Sequence, residues 1–280
     1  MIIRLRFAAL KGVILLGILC LAWADRAQAE TSGNRILIIH DGAAVLQPLT
    51  DYLREHGRLD ITMVDQAHLP PEDWKEYRAV LGYVHNRLQE TTERRIIDYT
   101  RAGGRFVALH HMISSGKARN RYFFDFLGIR LDKPGASRNP VLPGEGYGWY
   151  NADPIGVRVI LVDLDPGQYI VSHDVRWSDQ VLYKSSDRPT LDGNRPAIVV
   201  PKAEAYMNVK FTDGREKTVL IGMSYVDPRT GAIFQQDRIG WFKRSGAGVI
   251  IYLQPGHFIE EYRNANIDQM VLNAILWDGR

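Results

Sequence analysis

Hydrophobic and polar positions follow two different rhythms along this chain. In the first half, short continuous apolar runs stand between segments whose apolar residues recur at helical spacing. Arg35 to His40 (RILIIH) predicts a buried strand, and Val45 to His56 follows with Val45, Leu49, Tyr52 and Leu53 on one helical face. Leu59 to Val64 and Ala79 to Val84 predict two further strands. Residues 91 to 102 predict a helix with Ile96, Ile97 and Tyr99 turned inward, and Gly103-Gly104 supply its C-cap and a tight turn before a fourth strand, Arg105 to Leu109 (RFVAL). Strand and helix alternating over short links is the pattern of a parallel α/β sheet.

The middle of the chain breaks this rhythm. Lys133 to Asp153 is rich in Gly and Pro, with Tyr147, Trp149 and Tyr150 clustered in it. Val157 to about Phe242 then gives strand-like stretches parted by Asp192-Gly193-Asn194, Asp213-Gly214 and Asp227-Pro228. Turn signals of that kind predict antiparallel strands, so residues 133–242 read as an insertion into one α/β domain spanning 30–280. The first rhythm returns with a strand at Val249 to Leu253 and a closing helix from Ile267 to Trp277. That helix is expected to have Asn266 as its N-cap, an inward stripe of Ile267, Met270, Val271, Ala274 and Ile275, and Gly279 at its end.

One apolar run does not belong to the fold. Arg4, Arg6 and Lys11 precede the stretch from Gly12 to Ala24, and Ala27-Gln28-Ala29 follows it. This is the layout of a secretory signal peptide cleaved after Ala29, with a periplasmic or secreted mature chain starting at Glu30. No later stretch approaches the roughly 20 apolar residues of a spanning helix. Removing four basic residues and one acidic residue with the leader turns 35 basic against 32 acidic into 31 of each, so the mature chain is formally neutral. No basic stripe remains to favour nucleic acid as a partner. The single cysteine, Cys20, leaves with the leader as well.

The candidate chemistry lies in the histidines. Of eight, His40, His85, His110 (with His111 beside it) and His257 stand at or just after the carboxyl ends of predicted core strands. Ligands of open α/β sheets bind outside those strand ends, so these residues can converge on one crevice. The loop from Gly144 to Asp153 (GEGYGWYNAD) adds aromatic faces at Tyr147, Trp149 and Tyr150 and polar groups at Glu145, Asn151 and Asp153, a combination suited to a sugar's C–H faces and hydroxyls.

Two segments resemble a known family. GGRFVALHH (Gly103 to His111) is similar to the GGGFVGLH segment of the trehalose-utilisation, ThuA-like family. IGWFKRSGAGVIIYLQPGH (Ile239 to His257) and NIDQMVLNAILW (Asn266 to Trp277) resemble its late strand pair and final helix. The resemblance implies a flavodoxin-like sheet of the class I glutamine amidotransferase-like superfamily, and a role in trehalose or glycoside utilisation. Two departures stand out. Asp179-Gln180-Val181-Leu182-Tyr183 replaces the family's Asp-Glu-x-Tyr, and Ser245-Gly246-Ala247-Gly248 lacks the basic residues of the family's GkGR turn.

Amidotransferase chemistry needs a cysteine nucleophile on the elbow after the fourth strand, and His110 and His111 stand there instead. Ser114 and Ser115 follow without a G-x-S-x-G frame and read as an N-cap. Three readings stay open. His110 and His257, with His85, can act as acid and base on a hydroxyl or glycosidic position, since imidazole ordinarily titrates near pH 6.5. His110 and His257 can instead bind a divalent metal with His85, His40 or Asp41 as a third ligand. Or the crevice binds a small-molecule carbohydrate without turnover, contacted by Asp41, His111, Tyr147, Trp149 and Tyr150.

Overall fold

A computed structural model of the protein describes residues 33–130, 156–213, 217–227 and 231–279, together with the backbone of 148–150. The expected leader, Tyr147 and the side chains of Trp149 and Tyr150 lie outside the described residues.

The chain opens with β1 (Arg35–His40), α1 (Ala43–Gly57), β2 (Asp60–Val64), β3 (Ala79–Tyr83), α2 (Glu90–Arg101) and β4 (Arg105–Leu109). Next come α3 (Phe123–Leu127), β5 (Ile129–Arg130), β6 (Gly148–Tyr150), β7 (Val157–Asp163), α4 (Tyr169–Ser172), β8 (Asp179–Tyr183), β9 (Gly193–Ala203), β10 (Ala205–Met207) and β11 (Lys210–Phe211). The chain ends with β12 (Thr218–Val226), β13 (Ile233–Ser245), β14 (Gly248–Leu253) and α5 (Ala265–Leu276).

Ten of these strands form one sheet in the order β2-β1-β3-β4-β14-β13-β12-β7-β9-β8. The first five pair in parallel, and every pairing from β14 outward to β8 is antiparallel. The antiparallel strands therefore continue the α/β sheet edge to edge. Phe242, where the insertion was expected to end, stands inside β13, which runs on to Ser245 and turns into β14.

β1 shows why its sequence is a continuous apolar run. Ile36 and Ile38 enter the core on one face of the sheet and Leu37 and Ile39 enter the core on the other. A parallel strand covered on both faces has no reason to alternate, and each such Ile or Leu contributes about 1.5–3 kcal/mol by leaving water. On one face α1 buries Leu46, Leu49 and Leu53 against α5. On the other, Ile96, Ile97 and Tyr99 of α2 and Phe123 and Phe126 of α3 cover Phe106 and Ile250.

The expected stripe of α5 is buried, but the helix starts two residues earlier than its periodicity suggests. Asn264 is the cap, its side chain accepting from the Asn266 N–H at 3.1 Å. The Asn266 carboxamide is engaged elsewhere, by the Arg176 N–H at 2.9 Å. Among the described residues no helix is long and apolar enough to cross a membrane.

From β1 the chain passes through α1 to β2 on one side and then crosses to β3 on the other. The carboxyl ends of β1 and β3 thus flank the switch point where open α/β sheets bind ligands, with β4 and β14 next in line.

Candidate functional site

β4 ends at Leu109, and the chain bends sharply into a 3-10 turn over His110–Ile113. His110 takes φ of 35°, a left-handed conformation costing a non-glycine residue about 1–3 kcal/mol that surrounding contacts must hold in place. The bend buries the imidazole completely. Its Nδ1 is 2.6 Å from the Gln254 carbonyl and its Nε2 is 2.9 Å from Glu204 Oε2. A carbonyl only accepts, so Nδ1 carries a proton and Nε2 faces the carboxylate.

His111 follows on the same turn, 7% exposed. Its Nε2 lies 3.2 Å from His257 Nδ1, and its ring stacks on His85 at 4.5 Å with the planes 11° apart. His257 comes from the loop after β14, and its Nδ1 is also 3.2 Å from Glu204 Oε2. That loop is shaped by Glu261, whose buried carboxylate accepts from the Gly256 and Phe258 N–H groups at 3.1 and 2.9 Å. Gly256 has φ of 132°, and a Cβ there would strike the Tyr262 hydroxyl, so only glycine lets the loop pass.

Glu204 closes the group from the antiparallel half. It is the single residue between β9, which lies in the main sheet, and β10, which leaves to pair with β6. One donor atom from each of His110, His111, Glu204 and His257 lies within 4.8 Å of all the others. Burial, opposed by the Glu204 hydrogen bond, pulls His110 down. Burial and the neighbouring His110 and His85 pull His111 down as well. Burial alone would raise the Glu204 carboxyl, but the hydrogen bonds and charge of His110 and His257 outweigh it and hold it below the usual carboxylate range. Burial acts most strongly on His110 and His111 and favours their neutral form, while contact with His110 and His257 favours the ionised Glu204 carboxylate. Such a group can share protons or hold a cation.

The remaining candidates stand around this cluster. His85 is exposed at the end of β3. The Asp41 carboxylate accepts from the His85 N–H at 2.8 Å and the Asn86 N–H at 3.1 Å, which places it beneath the His85 turn and outside the four. His40 is also outside the four, with a buried Nδ1 that has no hydrogen-bond partner among the described residues. In the aromatic segment, the backbone at Trp149 and Tyr150 pairs with Tyr206 and Ala205, directly after Glu204. Ser114 does not cap through its side chain; its hydroxyl donates to the His85 carbonyl at 2.6 Å. Asp179 and Gln180 are exposed on β8, the outer edge of the sheet, and Tyr183 donates to buried Asp237 at 2.8 Å.

The family model for ThuA, described as trehalose utilisation, matches residues 30–278. The chain belongs to the ThuA family. Among solved structures, a ThuA-like protein from Bacteroides uniformis superposes with a TM-score of 0.56 at 16% identity, covering 86% of this chain and 89% of its own. A cytoplasmic protein from Salmonella typhimurium LT2 gives 0.50 at 11% identity, covering 86% and 98%. A β-galactosidase from Bacillus circulans gives 0.48 at 12% identity, and the match spans 30% of that longer enzyme. Among curated proteins none matches this chain.

Two residues of this ThuA family member that sequence reasoning missed are Glu204 and Lys117. Lys117 is fully buried, and its Nζ donates to the carbonyls of Val84, His85 and His111 and to the Ser114 hydroxyl. It ties the turn carrying His85 to the turn carrying His111, and burial lowers its pKa to about 7. The signal for Glu204 was a lone carboxylate between two alanines in a strand-like run, KAEAYM. For Lys117, inside SSGKARN, there was none.

Proposed function

We propose that this ThuA family member acts outside the cytoplasm on a carbohydrate of the trehalose and glycoside class, including oxidised glycosides. The sugar is bound over the carboxyl ends of β3, β4 and β14. The observation that carries the reading is the convergence of His110, His111, His257 and Glu204 beside an exposed, stacked His85. The family's description as trehalose utilisation supports the substrate class. The leader-like layout of residues 4–29, basic residues before an apolar run and then Ala27-Gln28-Ala29, supports export. His110 is fully buried and His257 about one-fifth exposed, so contact with a substrate hydroxyl falls to His85 and His257, with the buried pair behind them.

The test is a screen of trehalose, simple glycosides and their oxidised forms for thermal stabilisation and for product. A bound ligand must raise apparent stability. With a stabilising sugar in hand, His85→Asn is expected to keep binding and lose roughly 100- to 10,000-fold in turnover, the usual weight of a positioned acid or base. Unchanged turnover would take proton transfer away from His85. Stabilisation without any product would leave a binding module on the same crevice.

A further inference from the structure

We infer that His110, His111, His257 and Glu204 form a resident site for one divalent metal ion of the zinc class, an ion that favours imidazole and carboxylate together. The first argument is distance. At metal–ligand bonds of about 2.0–2.2 Å, neighbouring ligand atoms of a tetrahedral ion stand about 3.3–3.6 Å apart. The spacings here are 2.9 Å from His110 Nε2 to Glu204 Oε2, 3.2 Å from Glu204 Oε2 to His257 Nδ1, and 3.2 Å from His257 Nδ1 to His111 Nε2. These three edges lie within a few tenths of an ångström of that spacing, and the other three, none longer than 4.8 Å, would close by up to about 1.3 Å around a central ion.

The second argument is orientation. With Nδ1–H donated to the Gln254 carbonyl, His110 points Nε2 at a Glu204 carboxylate oxygen 2.9 Å away, an edge that a proton on Nε2 or a cation held between the two atoms would satisfy. An imidazole that donates its other N–H to a backbone carbonyl is the usual outer arrangement of a metal-binding histidine. His111 is held differently, by its stack on His85, and its buried Nδ1 has no hydrogen-bond partner among the described residues. The third argument is burial: His110, Glu204 and His111 are 0, 5 and 7% exposed, a setting that suits a desolvated ion better than a freely exchanging solute. The strained φ of His110 adds that the fold spends backbone energy to aim this ring inward.

The donor set selects the ion. Three imidazoles and one carboxylate, without a thiolate, match zinc, cobalt, nickel or ferrous iron, whereas magnesium and calcium call for oxygen-rich shells. The reading stands apart from the sugar proposal, because an ion can occupy the site whether or not a carbohydrate binds above it.

The test uses the purified, untagged protein, stripped with a strong chelator and titrated with zinc and with cobalt by calorimetry and visible absorption. One ion per chain is expected, with the intense visible bands of four-coordinate cobalt and a rise in melting temperature on loading. Glu204→Gln and His257→Asn should each weaken binding by about 100-fold or more, since loss of an outer partner alone costs 10- to 100-fold. Circular dichroism of both stripped variants should match the stripped parent, which keeps a folding defect distinct from a lost ligand. Failure of the stripped parent to bind at micromolar metal would overturn the inference, as would equal affinity in both variants. Repeating the sugar screen on stripped and loaded protein separates the two proposals. Metal without sugar stabilisation leaves the ion site standing and removes the carbohydrate, and sugar stabilisation without metal binding does the reverse.

Discussion

Lys117 shows how a charged side chain can be structural. An ammonium in the interior carries a large desolvation cost, which here is offset by three carbonyl oxygens and a hydroxyl gathered around it. Lys117→Met fills a similar volume but leaves the carbonyls of Val84, His85 and His111 without this donor. We expect a loss of about 3 kcal/mol of stability, read by urea unfolding, together with faster amide exchange in the two turns that the lysine joins. At this scale the sequence was readable where chemistry coincided with a strand end. His110 and His257 each follow a continuous apolar run that announces its own terminus, and their rings meet at 5.2 Å. The roles of Glu204 and Lys117 were not readable, because they depend on His110, 94 residues from Glu204, and on the carbonyls of Val84 and His85, 33 and 32 residues from Lys117.

At the scale of elements, β1 and β4 coincide with the runs that predicted them, since apolar residues pointing to both faces leave no ambiguity of register. The start of α5 was less legible because two asparagines compete as caps, and the choice depends on Arg176, far away in sequence. The same helix holds a titratable group with a measurable consequence. Asp268 is buried, its Oδ1 has no hydrogen-bond partner among the described residues, and burial pushes its carboxyl up to about 8. The folded state therefore keeps a proton that the unfolded chain releases near pH 4, so this residue's contribution to stability falls as pH rises from about 4 to about 8. Asp268→Asn removes that dependence. Urea unfolding should find the variant close to the parent at pH 4 and more stable by roughly 1–3 kcal/mol at pH 8; equal stability at both values would show that the carboxyl is ionised in place.

For the molecule as a whole, the alternation of strand and helix sufficed to place the parallel half. The antiparallel half was legible only as a class, because its pairing joins strands whose order the turn signals do not encode. β7, for example, lies between β12 and β9. The expected leader has a consequence at this scale too. The full chain has an isoelectric point of about 8.9, and loss of four basic residues and one acidic residue would bring the processed form close to neutrality. Isoelectric focusing and intact mass of exported protein should therefore report a near-neutral chain beginning at Glu30 and devoid of thiol. A lipid adduct on Cys20 or a retained leader would contradict that expectation.

The contacts of His110 span the chain. Its partners Glu204 and Gln254 are 94 and 144 residues away, and His111 meets His257 across 146. Contacts of such long range close large loops, at a cost in chain entropy that the contacts themselves must repay. No fragment ending before β14 can assemble the cluster, and a chain stalled during folding would hold four separate side chains in its place. Assembly of the cluster requires β4, β9 and β14 to be in place together, so a ligand held there would oppose the local opening of any one of them.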